Sequence, residues 1–435
     1  MSRALAPALN IRWYDGRLVG RVVTTGPTYF AYADEWLASG DNLSPIAVPF
    51  ANTSFRQRGD GFDQLPGFLS DCLPDQWGRR IMDREFSALD VRATPMRMLA
   101  WVGRRGIGAL NFEPALDADH SASSWEAVTS VLLTREAQAV MREEPARAFQ
   151  HLQRAGTAGG ALPKATVARL PDDTLLVGGD VAAAATAHPD ARLGILKLDC
   201  EDNPAGRVTD GRLEHAYMTM ARASGIRTAA TEIITDVMDT RPFHHLFVER
   251  FDCWRGTSRR FHLVTLAGVL HTHRLTYSNL LLTTRQLTQD QTEVSEAVRR
   301  MIFNVRSANA DDHGKNHSFL FDEHAGRWTL SPAYDLTLNA ESGRQYQGLS
   351  PNSFGTSPRL ATLAGLAADA GVRRDEFDAI DAEVAAAIQR WPEFAASANL
   401  APGVIERVTS IHAGLATILA SETPAKRGKR RKLWE

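Results

Sequence analysis

Apolar and polar positions alternate in short runs at the start of the chain. Residues 11–14 and 18–23 read as strands on either side of Asp15-Gly16, a dipeptide suited to a hairpin turn. Residues 28–32 form a further strand-like run, and 49–61 are rich in turn residues. Helical spacing follows over 68–86, around an irregular centre at 73–78, and 103–112 reads as a hairpin or loop closing a first module. A polar linker at 117–124 precedes helical periodicity over 125–153. Strand patterns then return at 165–170, 175–178, 193–198, 229–237 and 246–252, with one helix at 213–224 and an alanine-rich loop or short helix at 181–188. Past about residue 260 the period turns helical, at 263–273, 288–309, 377–391 and 404–421, apart from a strand-like run at 330–336. The pattern is α+β, with strands in the first two-thirds and helices after.

Composition narrows this only a little. The 435 residues are 44% hydrophobic and 23% charged with a net charge of −2, as in an ordinary globular chain of two or three domains. So balanced a charge does not commit the whole molecule to nucleic acid or membrane. Cys72, Cys200 and Cys253 have no Cys-x-x-Cys spacing, which fits a reducing cytosol, and no run reaches membrane-spanning length. A cytoplasmic protein is expected. The tail from Lys426 to Lys432 carries six positive charges in seven residues, a solvated segment or a phosphate contact.

Candidate chemistry concentrates in residues 307–320. Two carboxylates (Asp311, Asp312), two imidazoles (His313, His317), Lys315 and two amides (Asn309, Asn316) crowd a segment that no core requires. Asp311 and Asn316 have the Asp-x-x-x-x-Asn spacing of a kinase catalytic loop, and Asp335 closes the strand-like run after it. Two carboxylates and an amide form a hard oxygen site, suited to Mg²⁺ on ATP phosphates rather than to zinc. Upstream, Thr157, Ala158, Gly159 and Gly160 lie in a glycine-rich loop whose N–H groups could cradle phosphate, though it is not a Walker A sequence. Lys197 interrupts an apolar strand, and Glu214 on the following helix is placed to partner it. Trp77, Arg79 and Arg80 read as core and salt-bridge residues, with a binding surface as the alternative.

Taken in order, residues 159–164, 247–252, 310–316 and 332–335 resemble the HipA family, bacterial serine/threonine kinases that are the toxins of toxin–antitoxin modules. The 14–16 turn and Leu73-Pro74-Asp75-Gln76-Trp77-Gly78-Arg79-Arg80 extend the resemblance over nearly the whole chain. It implies a protein-kinase-like bilobal fold: a strand-rich N-terminal subdomain at 1–115, a β-rich ATP-binding lobe at 116–258, an all-α lobe at 259–423 and the basic tail at 424–435. By the same resemblance Asp311 is the catalytic base, Asn316 and Asp335 hold Mg²⁺, and Lys197 holds the ATP phosphates. Glu249 and Phe251 match the hinge against adenine, and Asp252 the residue near the ribose. Thr157 stands where relatives carry an autophosphorylated serine, and its β-methyl stiffens the loop. The implied partners are a HipB-like DNA-binding antitoxin and a protein substrate, aminoacyl-tRNA synthetases being the family's known target class. His313 and Asp312 read as neighbours that fix the loop.

Competing readings use the same residues. A kinase of this fold acting on a small molecule or lipid would look identical here. A metal-dependent hydrolase would use Asp311, Asp312, His313 and His317 and favour zinc. A non-catalytic co-repressor would tolerate loss of the lysine, Asp and Asn positions, all of which are intact.

Overall fold

The computed structural model describes residues 8–57, 62–116, 125–156, 159–178, 180–200, 210–339, 349 and 359–420. The 117–124 linker, Thr157, Ala158 and the basic tail lie outside the described residues.

The expected hairpin forms. β1 (Ala8–Trp13) and β2 (Leu18–Thr24) are antiparallel across a turn in which Gly16 takes φ +96°, a conformation glycine adopts without strain. β3 (Thr28–Tyr32) and β4 (Leu110–Glu113) complete a four-stranded sheet of order β3-β2-β1-β4. Alternate β1 residues Leu9, Ile11 and Trp13 are fully buried, the period of two that a one-faced sheet demands. The helix Gln76–Ala88 buries Trp77, Ile81, Met82 and Phe86. A further helix, Pro95–Val102, was not anticipated, although Thr94 caps it and proline opens it.

The second sheet comprises β5 (Glu126–Val128), β6 (Lys164–Arg169), β7 (Leu175–Val177), β8 (Arg192–Lys197), β9 (Thr231–Met238) and β10 (Arg241–Glu249). Its order is β5-β7-β6-β8-β10-β9, antiparallel throughout. The helical stretch expected over 125–153 is interrupted. It opens with β5, continues as the helix Ser130–Met141 capped by Thr129, and resumes at Gln150–Arg154 beyond Pro145.

The region after residue 260 is not purely helical. β11 (His262–Thr265), β12 (Ser318–Asp322) and β13 (Arg327–Leu330) form a three-stranded sheet of order β11-β12-β13, which corrects the all-α expectation for this lobe. The first three residues of the helix expected over 263–273 are thus strand. The helix Leu266–Leu270 begins only where the Thr265 hydroxyl accepts the Gly268 N–H at 3.0 Å. The 288–309 run begins later than expected, at Gln291–Ser307, after a separate helix Tyr277–Thr288. Gln289 at φ +52° stops the first helix, and the Asp290 side chain caps the second. The helices Leu360–Asp369, Arg374–Gln389, Trp391–Ser397 and Pro402–Ala420 complete this lobe.

The N-terminal module is fastened to the helical lobe at close range. A Cβ on Gly67 would lie 2.0 Å from the Gly268 carbonyl oxygen, so only glycine permits this approach. The Gly67 N–H donates to His271 Nε2 at 2.7 Å, and Asp71 accepts the Thr265 N–H at 2.7 Å. Residues 71–77 are thereby carried to the edge of the cleft between the two lobes.

Candidate active site

Lys197 ends β8, in register with Lys164 on one side and Leu246 on the other. Its Nζ lies 2.7 Å from both carboxylate oxygens of Glu214 and 2.6 Å from Oδ1 of Asp335. Glu214 reaches it because the helix Gly211–Ala223 starts against the sheet. A Cβ on Gly211 would sit 2.7 Å from the Leu246 Cβ, so a side chain there would push the first turn away. Burial works against the lysine charge, but Asp335 and Glu214 outweigh it and hold Lys197 above its ordinary value. Lys197 in turn draws Asp335 down to about 2, while burial pushes Glu214 up against the lysine's pull. Beneath them Lys164 is buried, its Nζ on the Gly159 carbonyl at 2.5 Å, and burial followed by repulsion from Lys197 lowers it to about 8.

Asp335 follows β13 in the left-handed region, at φ +58°. Aspartate, like asparagine, tolerates this region better than most side chains, and residues held there gather at functional sites. The preceding Ala333 is held by backbone bonds to Arg227 at 2.7 Å and Ala229 at 2.9 Å.

The 311–317 segment is a loop, as expected. Ala308 at φ +59° ends the helix Gln291–Ser307 and turns the chain into it. Asn316 Nδ2 donates to the Asp311 carbonyl at 2.8 Å, and the Asn316 N–H donates to the His313 carbonyl at 2.8 Å, closing the loop on itself. Asp312 is the buried anchor: the Tyr277 hydroxyl donates to it, and burial pushes its carboxyl well above the carboxylate range. Gly314 packs closely under Leu275, whose Cδ1 would lie 2.3 Å from an added Cβ and would have to move. His317 is buried and burial holds it at about 3, hence neutral, whereas His313 is exposed. The two imidazoles therefore do not share a helix face. Among the described residues no group of three His, Cys, Asp or Glu side chains is gathered for a metal, which removes support from the zinc hydrolase. The donors at hand are the Asp335 carboxylate and the Asn316 amide oxygen, left over once Nδ2 is spent on Asp311. Both are hard oxygens of the kind that suits Mg²⁺, which keeps several waters.

Tyr334 joins these parts. Its hydroxyl donates to the Lys315 carbonyl at 2.7 Å, and its ring lies 5.7 Å from that of Phe251. The Glu249–Asp252 stretch, the 311–317 loop and Asp335 are therefore brought together around Tyr334. At the hinge the Glu249 N–H is spent on the Ala230 carbonyl at 2.9 Å, and its carboxylate meets Arg192 at 3.0 Å. Asp252 departs from expectation. It is 2% exposed, paired with Arg250 at 2.6 Å, and accepts the Gly108 N–H at 2.6 Å. Its carboxylate fastens the hinge to the N-terminal module and is sealed from the cleft, so it is a brace instead of a ribose contact.

Lys315 pairs with Asp75 at 2.7 Å, and the other oxygen of Asp75 accepts the Gly160 N–H at 3.0 Å. Asp75 escaped the sequence reading of chemistry, although it stands in the quoted 73–80 stretch. Trp77 is a core residue, its Nε1 on the Lys164 carbonyl at 2.8 Å, and Arg79 pairs with Asp63 at 2.8 Å, whereas Arg80 is exposed.

Known proteins share this architecture. A chain of the Shewanella oneidensis MR-1 toxin–antitoxin complex of HipA, HipB and operator DNA superposes with a TM-score of 0.65. The superposition covers 94% of this chain and 96% of that one at 19% identity. The fold is protein-kinase-like and bilobal, with an added strand-rich N-terminal subdomain. The HipA-like C-terminal domain model matches residues 156–391, and the HipA N-terminal domain model matches residues 10–113. The chain belongs to the HipA family. A protein of Sinorhizobium fredii described as "Putative kinase Y4mE" is 27% identical over 386 residues, 83% of each chain. Among the described residues no helix is long and apolar enough to cross a membrane.

Proposed function

We propose that this chain is an ATP-dependent serine/threonine-protein kinase and the toxin of a toxin–antitoxin pair. The observation that carries the reading is the three-way contact of Lys197 with Glu214 and Asp335 beside the Asp311–Asn316 loop. A strand lysine steadied by a helix glutamate is the arrangement that holds nucleotide phosphates in kinases. Lys197 and the N–H groups of the glycine-rich loop hold the phosphates, and Glu249 and Phe251 present hinge backbone to adenine. Asp311 orients a Ser or Thr hydroxyl and accepts its proton. Mg²⁺ held by Asn316 and Asp335 would offset phosphate charge. The remaining work is positioning and electrostatics, which phosphoryl transfer needs more than covalent chemistry. Thr157 is the candidate autophosphorylation site: a phosphate there adds roughly −1.5 to −2 charge to the glycine-rich loop and would break its contact with ATP. The S. oneidensis complex supports a HipB-like antitoxin as partner, with DNA reached through it. The substrate class is a cellular protein, an aminoacyl-tRNA synthetase by family analogy.

The test is the intact mass of the protein after incubation with Mg²⁺ and ATP, wild type beside Asp311→Asn, with phosphopeptides mapped. A phosphate on the wild type alone supports the kinase, and its location on Thr157 supports the self-silencing loop. No phosphate together with no ATP-induced thermal shift would sink the reading.

A further inference from the structure

Asp75 belongs to the N-terminal module, yet both of its carboxylate oxygens are engaged inside the cleft. Oδ1 lies 2.7 Å from Lys315 Nζ in the catalytic-loop segment, 240 residues further along the chain. Oδ2 accepts the Gly160 N–H of the glycine-rich loop at 3.0 Å. Two residues on, the Trp77 N–H donates to the Gly160 carbonyl at 3.1 Å, and the Trp77 indole donates to the Lys164 carbonyl at 2.8 Å. Residues 75–77 thus hold both backbone groups of Gly160, whose φ of +107° suits only glycine. The strap is itself anchored, since Asp71 accepts the Thr265 N–H at 2.7 Å and the Thr265 hydroxyl at 3.0 Å. Burial disfavours the Asp75 charge, but Lys315 outweighs it and keeps the carboxyl below its ordinary range.

From this geometry we infer that Asp75 is a positioning residue for phosphate transfer, pinning the glycine-rich loop at Gly160 and aiming Lys315 across the cleft. The inference rests on the kinase reading for its consequence, not for the pin itself. It makes the N-terminal module part of the phosphate site. A loop held at its tip pays less ordering entropy when a nucleotide arrives, and a lysine held by one carboxylate is already oriented. The charge-assisted bonds at Asp75 are of the stronger kind.

Two measurements separate the pin from the kinase reading. The first needs no nucleotide: amide hydrogen exchange of the full chain, followed in peptides spanning residues 159–164. Asp75→Ala is expected to speed exchange at the Gly160 amide about tenfold or more, the size of a lost bond to a charged group. Unchanged exchange would overturn the pin. The second is steady-state Mg·ATP turnover in wild type, Asp75→Asn, Lys315→Ala and the double variant. Asparagine retains one acceptor oxygen where two are used, and carries no charge to hold Lys315. Each single variant is expected to lose about tenfold in kcat, and the double variant no more than either single one, as for residues acting as one unit. Multiplying losses, or a lower melting temperature with kcat and KM intact, would overturn the positioning role. A wild type that binds no ATP would sink the kinase reading, while the exchange result would still decide the pin.

Discussion

Two ion-paired clusters flank the same hinge and work in opposite ways. Arg250 and Asp252 are each 2% exposed, and the pair is completed by the Gly108 N–H and the Gly106 carbonyl. At Lys197 one ammonium is shared by two carboxylates, and Asp335 stays 43% exposed while Lys197 and Glu214 are 19% and 13% exposed. The first cluster has all its partners inside the protein and faces no ligand. The second keeps an exposed acid over an oversubscribed lysine, an arrangement in which phosphate or a cation can take over contacts already made. Charge satisfaction alone does not separate a brace from a site. Access to the cleft does.

The comparison is broken most severely at the sealed pair. Asp252→Ala strands the Arg250 guanidinium in the interior and is expected to cost about 3–5 kcal/mol, read as a large fall in the denaturant midpoint. A midpoint like that of the wild type would show the brace to be dispensable. The open site predicts the reverse pattern. Asp311→Asn is expected to lower phosphate transfer on the order of 10²-fold or more, with the unfolding midpoint little changed. A loss of stability matching the loss of rate would return Asp311 to a structural role.

Acid sharpens the picture next. Burial holds His262 and His412 at about 4 and His317 at about 3, below the 6.5 of a free histidine. The unfolded chain therefore binds more protons than the folded one between those values, so stability falls as pH drops from about 6.5 toward 4. His262→Gln, which retains a donor for the Leu43 carbonyl that His262 contacts at 3.1 Å, is expected to flatten the thermal-melt profile over that window. An unaltered slope would show that His262 does not contribute to it. The smallest effect belongs to a third kind of pair. Arg374 and Asp378 are 67% and 51% exposed at i, i+4, and Arg374→Ala is expected to leave both melting temperature and turnover unchanged.

How much was legible varied with the range of the interaction. The 11–23 hairpin was readable because a two-residue period and Asp15-Gly16 are local signals. So was the strand at Lys197, a charge within an apolar run. The helix Tyr277–Thr288 went unread, although Thr276 and Asn279 form a local capping box at its start. Asp252 had a clue in Arg250, since residues two apart in extended chain point the same way, but family resemblance assigned it elsewhere. Asp75 had no local clue, because its partners stand 85 and 240 residues away.

The sequence by itself determined the α+β class, the kinase-like order of the glycine-rich loop, lysine, glutamate, hinge and Asp-x-x-x-x-Asn, and the family. Period, turn chemistry and motif order are properties of neighbouring residues and survive in one dimension. Only the tertiary structure decided which acids share Lys197, that Asp252 is sealed, that β11–β13 form a sheet in the second lobe, and that the N-terminal module enters the cleft through Asp75. These outcomes depend on burial and on distances between remote segments. A carboxylate is the same letter whether it faces a ligand or a buried arginine, and its packed surroundings decide which.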